Sequence, residues 1–207
     1  MSLVVASASP RRHALLAALG LRFVVEPSDV DEVALAAGRA PADAAVHLAL
    51  CKARAAAAST RVVIAADTMV VVDDRVLGKP ADDTEARAML TTLRGRTHHV
   101  LTGVAVVSPA SETTAVIEST VRMRAYGDAE IAAYVATGDS LDKAGAYGIQ
   151  SEPFRPVDAI AGCWCNVMGL PLWTAYGLLK DAGVLAPIPP DRTHPRCVAC
   201  PLSREGS

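Results

Sequence analysis

The stretch Arg61–Val72 constrains the fold more than any other part of this chain. Its residues are Arg-Val-Val-Ile-Ala-Ala-Asp-Thr-Met-Val-Val-Val. A run this apolar and β-branched predicts a long strand buried on both faces, inside a sheet covered by helices. Asp67 and Thr68 interrupt it. An ionised carboxylate at that depth needs a cationic partner, a metal, water or backbone N–H donors. A buried strand that turns polar at its middle marks where a sheet meets a cleft; an Asp tied to backbone N–H groups is the competing reading.

Around this strand the sequence alternates in type. Residues 2–6 read as a buried strand and 10–19 as a helix stopped by Gly20. Residues 23–25 form a short strand, and 26–32 an acidic loop holding Glu26, Asp29, Asp31 and Glu32. Pro41 opens a helix reaching about Ser59. Asp73-Asp74 is a turn into the short strand Val76-Leu77, and 82–93 is helical. Residues 99–107 and 114–124 read as long strands joined by a turn at 108–110. A helix over 127–136, a glycine-rich loop over 138–150 and a last helix over 171–182 complete the order. The expected fold class is α/β: an elongated, twisted mixed β-sheet flanked by helices, two-lobed with a central cleft.

Ser7-Ala8-Ser9-Pro10-Arg11-Arg12 lies between the first strand and the first helix. Ser9 is a favourable N-cap and Pro10 a favourable first helical residue. Arg11 and Arg12 then stand in the first turn, where the helix dipole disfavours cations. A bound polyanion, phosphate above all, would compensate; solvated arginines beside an ordinary cap are the alternative. Lys52, Lys79 and Lys143 add separate cations, each by itself readable as a surface charge. Asp142 precedes Lys143 in a loop with Gly145 and Gly148. Gln150 carries an amide with both a donor and an acceptor, suited to reading a base edge. Together these groups suit a phosphate-handling pocket, with Asp67 and Glu32 as carboxylates for a divalent cation.

Five segments give the chain its resemblance to a known family: Leu3–Arg12, Val30–Glu32, Ala65–Thr68 with Gly78–Pro80, Asp142–Gln150, and Asn166–Leu172. In order and spacing they resemble the Maf family of nucleoside triphosphate pyrophosphatases, whose fold is related to that of ITPases. The resemblance runs from residue 3 to about 183. It implies hydrolysis of a nucleoside triphosphate between its α and β phosphates, with magnesium or manganese, in a role of cleansing the nucleotide pool. It places Asp67 as general base, Ser7, Arg12, Lys52, Lys79 and Lys143 on the phosphates, and Glu32, Asp67 and Asp142 near metal or water. Arg11, Thr68 and Gln150 match the pyrimidine-selective branch acting on dTTP and UTP, not the branch acting on 7-methyl-GTP. A 7-methyl-GTP pyrophosphatase of the same family is one alternative, and the family's association with arrest of septum formation leaves a nucleotide-binding regulator as another. Dimers occur in related proteins, so a homodimer is the default expectation.

The remainder is read from the residues alone. Lys+Arg is 20 and Asp+Glu 22, a formal net charge of −2, which disfavours a nucleic-acid partner. No apolar run reaches membrane-spanning length and no signal-peptide pattern is visible, so the expected setting is cytoplasmic, with the five cysteines as free thiols. Cys51 reads as core. His47, His98 and His99 read as structural or surface residues, and Trp164 and Trp173 as core. Domain 1–183 is followed by a Pro- and Cys-containing tail, 184–207. Cys197-x-x-Cys200 has zinc-hairpin spacing, and Cys163, Cys165 and His194 can complete a metal site if the tail folds back; a redox pair is the other use of such spacing. Against that, Cys163 and Cys165 would point opposite ways on a strand. A loosely ordered tail with free thiols is the favoured reading.

Overall fold

The computed structural model of the protein describes residues 1–204. The elements in chain order are β1 (Ser2–Val5), α1 (Pro10–Ala18), β2 (Val24–Val25), α2 (Glu32–Ala36), α3 (Pro41–Ala55), β3 (Arg61–Val72), β4 (Arg75–Leu77), α4 (Asp83–Leu93), β5 (Thr97–Val107), β6 (Glu112–Met123), α5 (Asp128–Val135), β7 (Val157–Ala161), α6 (Trp164–Val167), α7 (Leu172–Asp181), α8 (Pro190–Thr193) and α9 (Pro195–Val198). Single 3₁₀ turns occur at Ala144–Ala146 and Pro201–Arg204. The sheet has seven strands in the order β2-β1-β3-β5-β6-β7, with β4 paired to β3. It is mixed: β1 runs parallel to β2 and β3, whereas the pairs β3–β4 and β6–β7 are antiparallel. The α/β class and mixed sheet expected from the sequence are therefore present.

The chain forms two compact units. The first holds residues 1–68, 101–117 and the chain from Cys163 onward; the second holds 69–100 and 118–162. In the first unit, the two faces of the sheet bury alternate residues. Leu3, Val5, Val62, Ile64, Ala66, Val104 and Val106 pack with Leu15, Leu16 and Leu19 of the α1 segment and with Leu172, Ala175 and Leu179 of α7. Val4, Ala6, Val63, Ala65, Ala105 and Val107 pack with Ala49 and Ala53 of α3. This period of two explains the unbroken apolar run of β3, because both of its faces are covered. Gly103 lets α3 approach closely: a Cβ there would lie 2.3 Å from the carbonyl carbon of Ala45.

In the second unit α4 and α5 pack on one another, each with an acidic first turn. Tyr126 is fully buried and donates to the Leu90 carbonyl at 2.9 Å. The β3–β4 hairpin turns at Asp73 and Asp74, both in the left-handed region (φ 48° and 59°), as a twisted two-residue hairpin needs. His98, read as structural or surface, is buried, with its Nε2 2.8 Å from the Tyr147 hydroxyl.

Several elements depart from the sequence reading. Residues 32–36 are helical, because Asp31 caps them through Oδ1 to the Ala34 N–H at 3.0 Å. The segment after Gln150 contains β7 and α6, too short to show a period. Ser9 occupies the N-cap position of α1, but its side chain makes no capping bond. Cys51 is half-buried, not core, with Sγ 3.6 Å from His47 Nε2. The described part of the tail is folded: α8 packs on α7 and on α9, and α9 packs on α6.

Candidate active site

The alternation of β3 decides what Asp67 and Thr68 meet. Val63 and Ala65 face α3, so Asp67 two residues on faces α3 as well; Ala66 faces α1 and α7, and so does Thr68. Two adjacent polar residues thereby reach groups on opposite faces of the same strand.

On the α3 face, Lys52 sits in the last turn of α3 and is buried, 8% exposed. Its ammonium lies 2.6 Å from Asp67 Oδ1 and 2.7 Å from Glu32 Oε1. Asp67 is equally buried, whereas the Glu32 side chain is half exposed. The ion pair answers the question raised by a carboxylate inside an apolar strand: its partner is a lysine from the covering helix. Glu32 reaches it because α2 begins at that residue.

On the other face, Arg12 ties three segments together. Its Nε donates to the Gly169 carbonyl at 2.8 Å, Nη1 to Ser7 Oγ at 3.1 Å and Nη2 to Thr68 Oγ1 at 3.1 Å. Thr68 Oγ1 is 3.0 Å from Thr102 Oγ1, which donates to the Asn166 carbonyl at 3.1 Å. Ser7 Oγ also accepts from the Ser9 N–H at 3.2 Å. Burial draws the Arg12 pKa below the ordinary guanidinium range, and the charges of Asp67 and Glu32 oppose that shift. Arg11, half-buried, follows directly on Pro10 at the start of α1. Thr102 is a member of the network that the sequence reading missed; its place in an apolar strand, one residue before Gly103, was the available signal.

The sequence-predicted residues of the second unit form their own cluster. Lys143 is buried, with its ammonium 2.8 Å from Asp139 Oδ1 and 2.6 Å from Asp142 Oδ1, and it also donates to the Asp139 carbonyl. Tyr134 donates to Asp139 Oδ2 at 2.8 Å and accepts from the Gly148 N–H at 3.1 Å. Gly148 is fitted between side chains: a Cβ there would lie 2.9 Å from Lys143 Cε and 3.0 Å from Gln150 Nε2. Gln150 and Lys79 are exposed, and the Gly145 N–H donates to the Gly78 carbonyl beside Lys79 at 3.0 Å.

Glu32 and Asp67 present hard carboxylate oxygens on a single ammonium. That donor set suits magnesium or manganese and would not select a soft metal.

A serine loop organised by Arg12 after β1 and an Asp-Thr pair at the middle of the buried strand β3 make up the candidate site. The sequence profile of the Maf-like protein family matches residues 2–182, and the chain belongs to that family. It is 46% identical over 206 residues to the dTTP/UTP pyrophosphatase of Thermomicrobium roseum, covering 98% of this chain and 94% of that one. The dTTP/UTP pyrophosphatase of Moorella thermoacetica is 50% identical over 188 residues, covering 88% of this chain and 95% of that one. The dTTP/UTP pyrophosphatase of Anaeromyxobacter dehalogenans is 48% identical over 189 residues, covering 89% and 96%. Among solved structures, a HAM1 protein from Coxiella burnetii aligns over 61% of this chain and 74% of its own, with TM-score 0.43 and 18% identity.

Proposed function

We propose that this protein hydrolyses dTTP and UTP to the nucleoside monophosphate and pyrophosphate. The observation that carries the reading is the pairing, at adjacent positions of β3, of the Glu32–Lys52–Asp67 ion group and the Thr68–Arg12–Ser7 network. It occurs in a chain whose relatives are named for that reaction.

In this reading Asp67 is the general base. Lys52 fixes the orientation of its Oδ1, and its other oxygen orients a water molecule and takes the proton as that water attacks the α-phosphorus. The bond between the α-phosphorus and the bridging oxygen breaks, and pyrophosphate leaves with the electron pair. Arg12, held by Ser7, Thr68 and the Gly169 carbonyl, presents a pre-positioned cation to the phosphates, and Lys52 adds a second. Glu32 and Asp67 would hold magnesium or manganese, which when bound neutralises charge on the polyphosphate. Arg11, Thr68 and Gln150 carry the preference for a pyrimidine. The Gln150 amide complements the O4/N3–H edge common to thymine and uracil. Lys79 and Lys143 serve as further phosphate-side cations, and Asp142 supports Lys143. Residues 1–183 constitute the catalytic domain and 184–207 an appended tail. Among the described residues no helix is long and apolar enough to cross a membrane; action on the cytoplasmic nucleotide pool, as a homodimer, is part of the proposal.

The test is pyrophosphate release with magnesium or manganese across dTTP, UTP, CTP, ATP, GTP and 7-methyl-GTP. We expect dTTP and UTP to be turned over fastest, and Asp67→Asn to lose about 10²–10⁴-fold in kcat. Turnover mainly of 7-methyl-GTP would keep the mechanism and overturn the pyrimidine preference assigned to Arg11, Thr68 and Gln150. Tight nucleotide binding without turnover would replace the hydrolase by a regulator.

A further inference from the structure

The second group of chemistry-bearing side chains in the first unit plays no part in the proposed hydrolysis. Cys163, Cys165, Cys197 and Cys200 are all buried, between 1% and 5% exposed. They arrive from two segments far apart in sequence: the start of α6, and the tail through α9. Cys165 Sγ lies 3.5 Å from Cys197 Sγ. Cys163 is within hydrogen-bonding reach of both Cys165 and Cys200. The four sulfurs thus form a connected group, Cys197–Cys165–Cys163–Cys200.

The objection from a strand geometry does not hold. Cys163 is the N-cap of α6 and Cys165 lies in its first turn, so the two thiols of Cys-x-Cys turn inward together. The 3.5 Å separation is far beyond a disulfide bond of about 2.05 Å, and close to the roughly 3.8 Å between two sulfurs bound to one tetrahedral zinc.

Buried cysteines also occur as plain small apolar residues. The construction of the tail argues against that here. Helices α8 and α9 have four residues each, too short to persist on their own. Of the described residues after Gly183, only Pro190, Cys197 and Cys200 are buried, while Leu185 and Val198 are 77% and 64% exposed. Val184, Ala186 and Leu202 pack on the core only partly buried, so the two thiols and Pro190 are the tail's most deeply buried anchors. His194 lies beside the group, its ligand atom within 4.8 Å of the Cys165 and Cys197 sulfurs. Its Nδ1, however, accepts from the Arg196 N–H at 3.2 Å, and its ring stacks on Trp164 at 4.6 Å. That bond leaves the remaining proton on Nε2 and gives His194 a capping and shielding role instead of a ligand's.

We propose that Cys163, Cys165, Cys197 and Cys200 bind one zinc ion as a closed, four-thiolate structural site that fastens the tail to the first unit. On binding, each thiol gives its proton to solvent and each sulfur forms a bond to the metal; no oxidation or reduction is involved.

The full chain, purified under reducing conditions without chelator, should contain about one zinc per chain by elemental analysis. Replacement by cobalt should produce the intense thiolate-to-metal charge-transfer absorption of a tetrahedral sulfur site. Cys165→Ala and Cys197→Ala should each lower zinc content at least about tenfold, whereas Cys51→Ala and His194→Ala should retain it. Cobalt substitution needs no variant, so a folding failure in one of them does not blunt the test. A wild-type chain with neither zinc nor a cobalt charge-transfer band overturns the proposal, as does a bound iron–sulfur cluster, or zinc that survives both cysteine replacements. Loss of zinc from His194→Ala overturns the four-thiolate ligand set.

Discussion

Lys52 and Asp67 show how much one residue depends on another at depth. Each is 8% exposed, and each is the other's partner at 2.6 Å. Removing the ammonium leaves a buried carboxylate with its charge uncompensated, a change that costs about 3–5 kcal/mol. Lys52→Ala should therefore lower chemical-denaturation stability by that order, and more than Glu32→Ala, since Glu32 is half exposed. Equal losses for the two variants would show that the buried pair is not what matters. His98 gives a pH prediction. Burial, with a smaller contribution from His99, lowers its pKa from 6.5 to about 4. The unfolded chain then binds a proton between pH 6.5 and 4 that the native chain refuses, so stability rises with pH across that window and is lost as pH falls through it. The contribution is about 3 kcal/mol in total. His98→Gln should flatten the slope of unfolding free energy against pH between those limits; an unchanged slope would sink the assignment. Gln150→Ala should reduce the preference for dTTP over 7-methyl-GTP by at least about tenfold, read as the ratio of kcat/KM values. At this scale residue type and motif marked the candidate residues in the sequence. They did not show that Asp67 is answered by Lys52 and not by backbone N–H groups, because that choice belongs to a helix fifteen positions upstream.

Among the elements, α3 and β5 approach closely at Gly103. Gly103 faces the Ala45 and Val46 backbone at distances no Cβ tolerates, and backbone cannot swing aside as a flexible side chain can. Gly103→Ala should destabilise by about 1–3 kcal/mol through overpacking. On the proposed mechanism it should also lower kcat, because α3 carries Lys52. Full activity at reduced stability would mean that α3 shifts without moving its last turn. The boundaries of β3 and the places of α1, α4 and α7 follow from apolar periodicity and from Pro and Gly at helix ends, and they were legible in advance. Helix α2, strand β7 and helix α6 were not. They have five, five and four residues, shorter than the window in which a period can be recognised. The capping role of Asp31 was visible only as one acidic residue among four in a loop.

For the whole molecule, the tail is the decisive feature. Its buried cysteines belong to the same core cluster as Leu172 and Leu179, and the Cys197 carbonyl accepts from Trp173 Nε1 at 3.1 Å. Deleting residues 184–207 should leave a folded chain with stability reduced by about 2 kcal/mol or more, a fall of roughly 4–8 °C in Tm. An unchanged Tm would mean that the tail adds nothing to the first unit. By itself, the sequence determined the α/β class, the buried course of β3, the Maf-like family and the residue types of the candidate site. Those are properties of local periodicity, of turn chemistry and of short motifs whose meaning does not depend on distant neighbours. Only the tertiary structure decided that Asp67 and Thr68 serve opposite faces of one strand, that Arg12 joins Ser7, Thr68 and Gly169, and that four cysteines spread over 38 positions come together where α6 meets α9. Each of these rests on contacts between segments remote in the chain. Their register is fixed by packing, which leaves no periodic trace in the sequence.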